Sequence, residues 1–152
     1  MDVTYRLDDR ITGYTDALVP KLSAVVRKTT FDIEAGAKTA VQTGAKTGRV
    51  YKRFGERKIK TRRLKSGDFA ITSVSRPFTL HQASKAGEAP ATDSGGLVNS
   101  IQSGFDSSLS GTVSVGAEYG AILEPDRPFL LPAAEATMPA FQAAIAAILE
   151  GR

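Results

Sequence analysis

The residues able to do chemistry are few and scattered along the chain. His81 is the single histidine, so a Ser-His-Asp relay could be built only on it, and no Gly-x-Ser-x-Gly elbow supplies a nucleophile. It reads as an ordinary loop or strand-end residue. The absence of cysteine removes disulfides, thiolate metal ligands and cysteine nucleophiles together. The acid pairs Asp8 with Asp9 and Glu124 with Asp126 lack further ligands spaced to converge on a metal, and helix capping or surface charge accounts for them. An internal echo, Gly36-Ala37-Lys38-Thr39 and Gly44-Ala45-Lys46-Thr47, has the residue types of a phosphate cradle. A P-loop, however, needs four residues between its glycines and opens a helix after a strand, whereas this echo closes a helix. The sequence therefore predicts no catalytic residue, no metal site and no cofactor, and the chain reads as a non-enzyme.

Charge carries more information. Between Lys46 and Lys65 stand ten Lys or Arg and one acid, Glu56. That segment holds +9, which leaves −5 for the rest of a chain whose net charge is +4. A polarised field of this kind suits docking onto an acidic protein face or onto phosphates. The candidate contact residues are Arg49, Lys52, Arg53, Arg57, Lys58, Lys60, Arg62, Arg63 and Lys65. A charged hairpin that merely keeps its edges in water explains the same residues. A nucleic-acid-binding module using residues 46–65 is the alternative to a protein-docking arm.

The elements that must position these residues follow from periodicity. The chain has 152 residues, 41% apolar and 24% charged, which suits a single globular domain over 1–152. No apolar run approaches the roughly 20 residues that span a bilayer, and MDVTYRLDDR lacks the apolar stretch of a signal peptide, so synthesis in the cytoplasm and no membrane are expected. Val3, Tyr5 and Leu7 alternate as in a short strand. Leu22, Val26, Ile33, Ala37 and Val41 recur at helical spacing, which predicts a long helix starting near Pro20 and ending at Gly44 and Gly48. Residues 49–64 and 69–78 read as extended segments joined by a turn at Lys65-Ser66-Gly67-Asp68, a long basic hairpin. Residues 82–96 are rich in Gly, Ala, Pro and Ser and read as irregular. A second hairpin is expected from Ile101, Ser103 and Phe105 against Val113, Val115 and Ala117. A C-terminal helix is expected with Thr137 as N-cap, Pro139 in its first turn, and Phe141, Ile145, Ile148 and Leu149 on one face. The order predicts an α+β fold in which an antiparallel sheet is packed by a long N-terminal and a C-terminal helix, with a protruding basic β-hairpin.

Several short blocks carry a family resemblance. Thr47-Gly48-Arg49-Val50-Tyr51, His81-Gln82-Ala83-Ser84, Gly87-Glu88-Ala89-Pro90-Ala91 and Asp93-Ser94-Gly95-Gly96-Leu97 are followed by Val115-Gly116-Ala117-Glu118-Tyr119-Gly120, Leu123-Glu124, Arg127-Pro128-Phe129-Leu130 and Pro132-Ala133. In this order the chain resembles the head-tail morphogenesis proteins of long-tailed bacteriophages, also called neck, tail-completion or minor tail proteins. The resemblance implies a virion component of the neck or tail, without enzyme activity. It also implies a ring of six or twelve copies touching head-connector and tail-tube proteins, with possible transient contact to packaged DNA. Its signature residues here are Tyr119, Glu124, Arg127, Pro128, Phe129 and Pro132. Two departures stand out: only Pro125 and Asp126 separate Glu124 from Arg127, where the family commonly has a Gly-Thr loop, and residues 54–79 look like an inserted basic arm. Pro128 and Pro132 suggest a stiff extended connector, with Pro132 opening the following helix, Phe129 and Leu131 in the core, and Arg127 paired to Glu124.

Overall fold

Helix α1 spans Arg10–Thr43 in the computed structural model, which describes residues 10–151, with side chains from residue 16 onward. The strand expected at Val3, Tyr5 and Leu7 lies outside the described residues. Pro20 does not start α1 but sits inside it. The missing amide forfeits one hydrogen bond at a cost of about 3 kcal/mol. Cooperative propagation on both sides of Pro20 outweighs that local loss. The apolar stripe read from the sequence ends on Ala37 and Val41, both fully buried, and the helix stops at Gly44, whose amide donates to the Ala40 carbonyl at 2.9 Å.

Three two-stranded antiparallel ribbons follow rather than one continuous sheet. Strand β1 (Val50–Phe54) pairs with β4 (Phe78–Gln82), and β2 (Lys58–Arg63) pairs with β3 (Phe69–Ser75). Residues 83–95 run irregularly back over the body to a short helix, α2 (Gly96–Ser100). Strand β5 (Ile101–Ser107) then pairs with β6 (Ser110–Val115), the second hairpin expected from alternation. Helix α1 lies against this β5–β6 ribbon. Glu34 fastens the two, accepting from the Ser103 amide at 3.0 Å and from Lys38 Nζ at 2.5 Å. The Lys38 bond, and after it the bond from Ser103, holds the Glu34 carboxyl below its ordinary value.

After the single turn α3 (Gly120–Leu123), helix α4 spans Leu130–Leu149, so it begins well before the expected cap at Thr137. The reason lies upstream. The Glu124 carboxylate accepts from the backbone amides of Phe129 at 3.2 Å, Leu130 at 3.1 Å and Leu131 at 2.8 Å. Those are the orphan donors of a helix start, and they sit at its positive end. The 127–132 segment is therefore helical from Leu130 on, and Pro132 falls within the first turn instead of opening the helix. Thr137 is interior, its hydroxyl bonded to the Ala134 carbonyl at 2.9 Å. Of the face expected to be apolar, Leu149 is 58% exposed. Replacing Glu124 by Ala should lower stability by about 1–2 kcal/mol, the usual size of a lost N-cap. A lower urea midpoint at unchanged slope is the expected reading; an unmoved midpoint would show that α4 starts without this cap.

Helices α1 and α4 pack on each other, helped by Gly36, where an added Cβ would meet the Ala133 Cβ at 3.3 Å. The core gathers Ala37 and Val41 from α1, Leu97 and Val98 from α2, Ile101 from β5 and Phe129. The fold is thus α+β, with the N-terminal helix packed on the β5–β6 ribbon and the C-terminal helix packed on the N-terminal one.

Candidate assembly surface

The basic arm leaves and rejoins the body at one place. The Gly48 amide donates to the Ala83 carbonyl at 2.8 Å, and the Ala83 amide donates to the Arg49 carbonyl at 3.0 Å. A Cβ on Gly48 would stand 2.6 Å from the Ala83 oxygen and 2.9 Å from the Ser84 oxygen, so only glycine permits this approach. Glu88 closes the same corner, accepting from the Thr47 amide at 3.0 Å, the Lys85 amide at 2.9 Å and the Thr47 hydroxyl. The Thr47 hydroxyl first, then the Lys85 and Thr47 amides, pull the Glu88 carboxyl from 4.5 down to about 2. A depressed folded value means that the bonds stabilise fully above the unfolded value and fade as pH falls toward the folded one. The parent should therefore lose stability between pH 4.5 and about 2 more steeply than Glu88→Gln does. Parallel urea-midpoint curves across that window would refute the clamp.

Strands β1 and β4 form the proximal half of the arm. Tyr51 pairs with His81 and Arg53 with Thr79, and this face looks onto the body. The Tyr51 and His81 rings lie 5.2 Å apart, and Arg53 Nη1 reaches Asp93 Oδ1 at 2.7 Å. The opposite face carries Val50, Lys52, Phe54, Phe78 and Leu80, with its apolar members at least half exposed. There the Phe54 and Phe78 rings stand 6.1 Å apart, Lys52 Nζ lies 4.6 Å from the centre of Phe78, and the Arg76 guanidinium lies 5.2 Å from that of Phe54. Cations over ring faces gain from the ring quadrupole and keep their charge in water.

The ladder is interrupted at Gly55–Arg57 and Arg76–Pro77, where the Gly55 amide donates to the Pro77 carbonyl at 2.8 Å. Beyond it, β2 and β3 form the distal half, and the register sorts their side chains. Ile59 faces Val74, Thr61 faces Ile71 and Arg63 faces Phe69, while Lys58, Lys60 and Arg62 alternate onto the other face. A bulge after Lys60 leaves Thr72 as the extra residue, and its hydroxyl donates to the Lys60 carbonyl at 3.1 Å. The turn closes through Leu64 and Asp68 (N to O, 2.7 Å), with Gly67 at φ 94°, a left-handed conformation natural to glycine.

The structure brings the predicted cations together along this arm. Arg49 precedes β1, Lys52 and Arg53 lie in it, Arg57 occupies the interruption, Lys58, Lys60, Arg62 and Arg63 line β2, and Lys65 begins the turn. All nine are exposed, and of these nine only Arg53 is held in an ion pair among the described residues. The signature residues cluster elsewhere, around the start of α4. Phe129 is 1% exposed in the core, whereas Leu131, expected beside it, is 59% exposed. Once α4 starts at Leu130, its helical turn swings Leu131 outward. Glu124 is committed to the α4 amides, so the expected Arg127–Glu124 pair does not form. Arg127 instead lines a cavity of about 210 Å³ with Tyr51, His81 and Ser84, and its Nε is buried without a hydrogen-bond partner among the described residues. Pro128 is half-buried, while Tyr119, before α3, and Pro132 are exposed.

Reading for charge missed the apolar side of the arm. The signal was present as Ile59-Lys60-Thr61 opposite Phe69-Ala70-Ile71, an alternation that counting cations obscures. Among the described residues no group of His, Asp and Glu is placed to hold a metal ion, and no helix is long and apolar enough to cross a membrane. Comparison with known proteins gives no match to this chain, whether among family models, curated proteins or solved structures.

Proposed function

We propose that this chain is a structural virion protein of a tailed phage, a ring-forming subunit at the head-tail junction whose work is contact between proteins. The observation that carries this reading is the arm. Its distal strands are exposed along both faces, one cationic and one apolar, and they make no extensive contact with any other helix or strand. A lone two-stranded ribbon is marginal in water, and an uncovered apolar face favours a partner. The resemblance of the 115–133 blocks to head-tail morphogenesis proteins supplies the setting. The test is immunogold labelling of particles made by a phage that encodes this chain. Label concentrated at the joint between head and tail is expected; label absent from particles, or confined to capsid faces, ends the proposal.

The cationic face of β2 sustains a second reading, a nucleic-acid-binding module. Phosphate binding releases counterions, so monomer binding to DNA that falls steeply with salt would favour it. Weak binding with a shallow salt slope would favour the protein-docking arm.

A further inference from the structure

The arm exposes an apolar strip that the subunit itself cannot cover. Ile59, Ile71, Val74 and Phe69 share one face by register and are 51%, 65%, 46% and 71% exposed. The body has a matching uncovered hollow. Between the end of β6, α3 and the start of α4 lies a cleft of about 340 Å³ lined by Val115, Ala117, Ala121 and Leu130, with Glu118 and Glu124 among its lining residues. Glu118 is exposed and has no ion-pair partner among the described residues. The adjacent Ile122 is 76% exposed, extending the apolar surface beyond the cleft.

We propose that the apolar face of the β2–β3 arm docks head to tail into the acid-edged cleft between β6, α3 and α4 of a second copy of this chain. The inference deepens the ring reading and rests on it. Charge decides between the possible pairings. Two arms laid face to face would bring together two segments (residues 50–82) that each carry nine cations and two acids, a charge of +7, whereas an arm in the cleft sets Arg63, on the docking face, and Lys65, at the turn, near a body of net −3. Opposite potentials across an interface favour encounter and fix register, and like charges penalise the alternative. Because arm and cleft are different surfaces, the contact is heterologous, and with a rotation that closes, its repetition builds a ring. No second kind of interface is then needed to build one.

The lack of cysteine makes this directly testable by oxidative cross-linking. Ile71→Cys and Ala121→Cys are both at exposed positions, so each variant should melt as the parent does. Mixed, they should give a disulfide-linked dimer, and a chain carrying both should give a ladder of linked multimers. Ser73→Cys, on the other face of the arm, should give no product with Ala121→Cys. Val74→Cys with Glu118→Cys is the second pair, used if either first variant fails to fold. Three outcomes overturn the docking: equal yields from the Ile71 and Ser73 variants, preferential Ile71–Ile71 dimers, or no product from either pair at the highest concentration reached. Sedimentation of the parent separates this from failure of the ring reading. A closed parent oligomer without the arm-to-cleft product sinks the docking alone, while the position of the label on particles decides the ring reading by itself.

Discussion

Reversing Arg57, Lys58, Lys60, Arg62 and Arg63 to Glu is expected to leave the domain folded and to abolish the joining of heads to tails. All five side chains are exposed on the arm, none is in an ion pair among the described residues, and the core lies elsewhere. Surface substitutions of this kind usually change stability by about 0.5 kcal/mol or less. Their effect on encounter is of a different order. The segment would pass from strongly positive to slightly negative, and the loss of electrostatic steering alone slows association by roughly 10- to 1000-fold. An arm that then meets an acidic surface with its own carboxylates is repelled as well as unsteered. The measurement is the rate of head-tail joining in mixed extracts, with a circular dichroism melt to confirm folding. The parent rate should also fall as salt rises, because exposed charges are screened beyond roughly 8 Å at physiological ionic strength. Joining at the parental rate in physiological salt would reduce the arm to a solubilising surface.

The largest effect on stability is expected at Phe129. Its ring is 1% exposed and belongs to the cluster that unites α1, α2 and β5. Phe129→Ala removes the buried ring and leaves a void, a change that typically costs about 3–5 kcal/mol. Against a total of roughly 5–15 kcal/mol for a domain, this can unfold the protein at moderate temperature. Its close neighbour Leu131 supplies the control. At 59% exposure, Leu131→Ala should cost no more than about 0.5 kcal/mol. Chemical denaturation of the pair reads the contrast. Similar losses at the two positions would mean that the start of α4 packs differently from the description above.

That same short segment shows where sequence reading succeeds and where it stops. The α+β class, the long first helix, the basic arm and the second hairpin were all legible, because each rests on periodicity within one element. Phe129 could be placed inside by composition and neighbouring prolines. Leu131 could not, since its direction depends on where α4 begins, and that is set by Glu124 reaching forward to three amides. The carboxylate looked like a partner for Arg127, but the choice between a guanidinium and a helix terminus is made by geometry alone. Pro20 and Pro139 misled for a related reason: proline strongly disfavours a helix interior, yet both helices have enough contacts to absorb it. The amphipathic character of the arm was hidden in another way. Its apolar residues come from two strands, and only the register shows that they share a face. The cleft was beyond reach altogether, being assembled from β6, α3 and α4.

The closing of the arm at Gly48 and Ala83 sets how freely its length can vary. Because entry and exit are tied by two backbone hydrogen bonds, everything from residue 50 to residue 82 is, thermodynamically, a single loop hung from a fixed clasp. The entropy of closing such a loop grows only with the logarithm of its length, about 0.6 kcal/mol for each doubling. Residues added or removed in register pairs beyond the clasp change the reach of the subunit while the packing of α1, α4 and Phe129 stays as it is. Span and stability are therefore separate variables in this architecture, and the reach of the arm is adjustable at almost constant folding free energy.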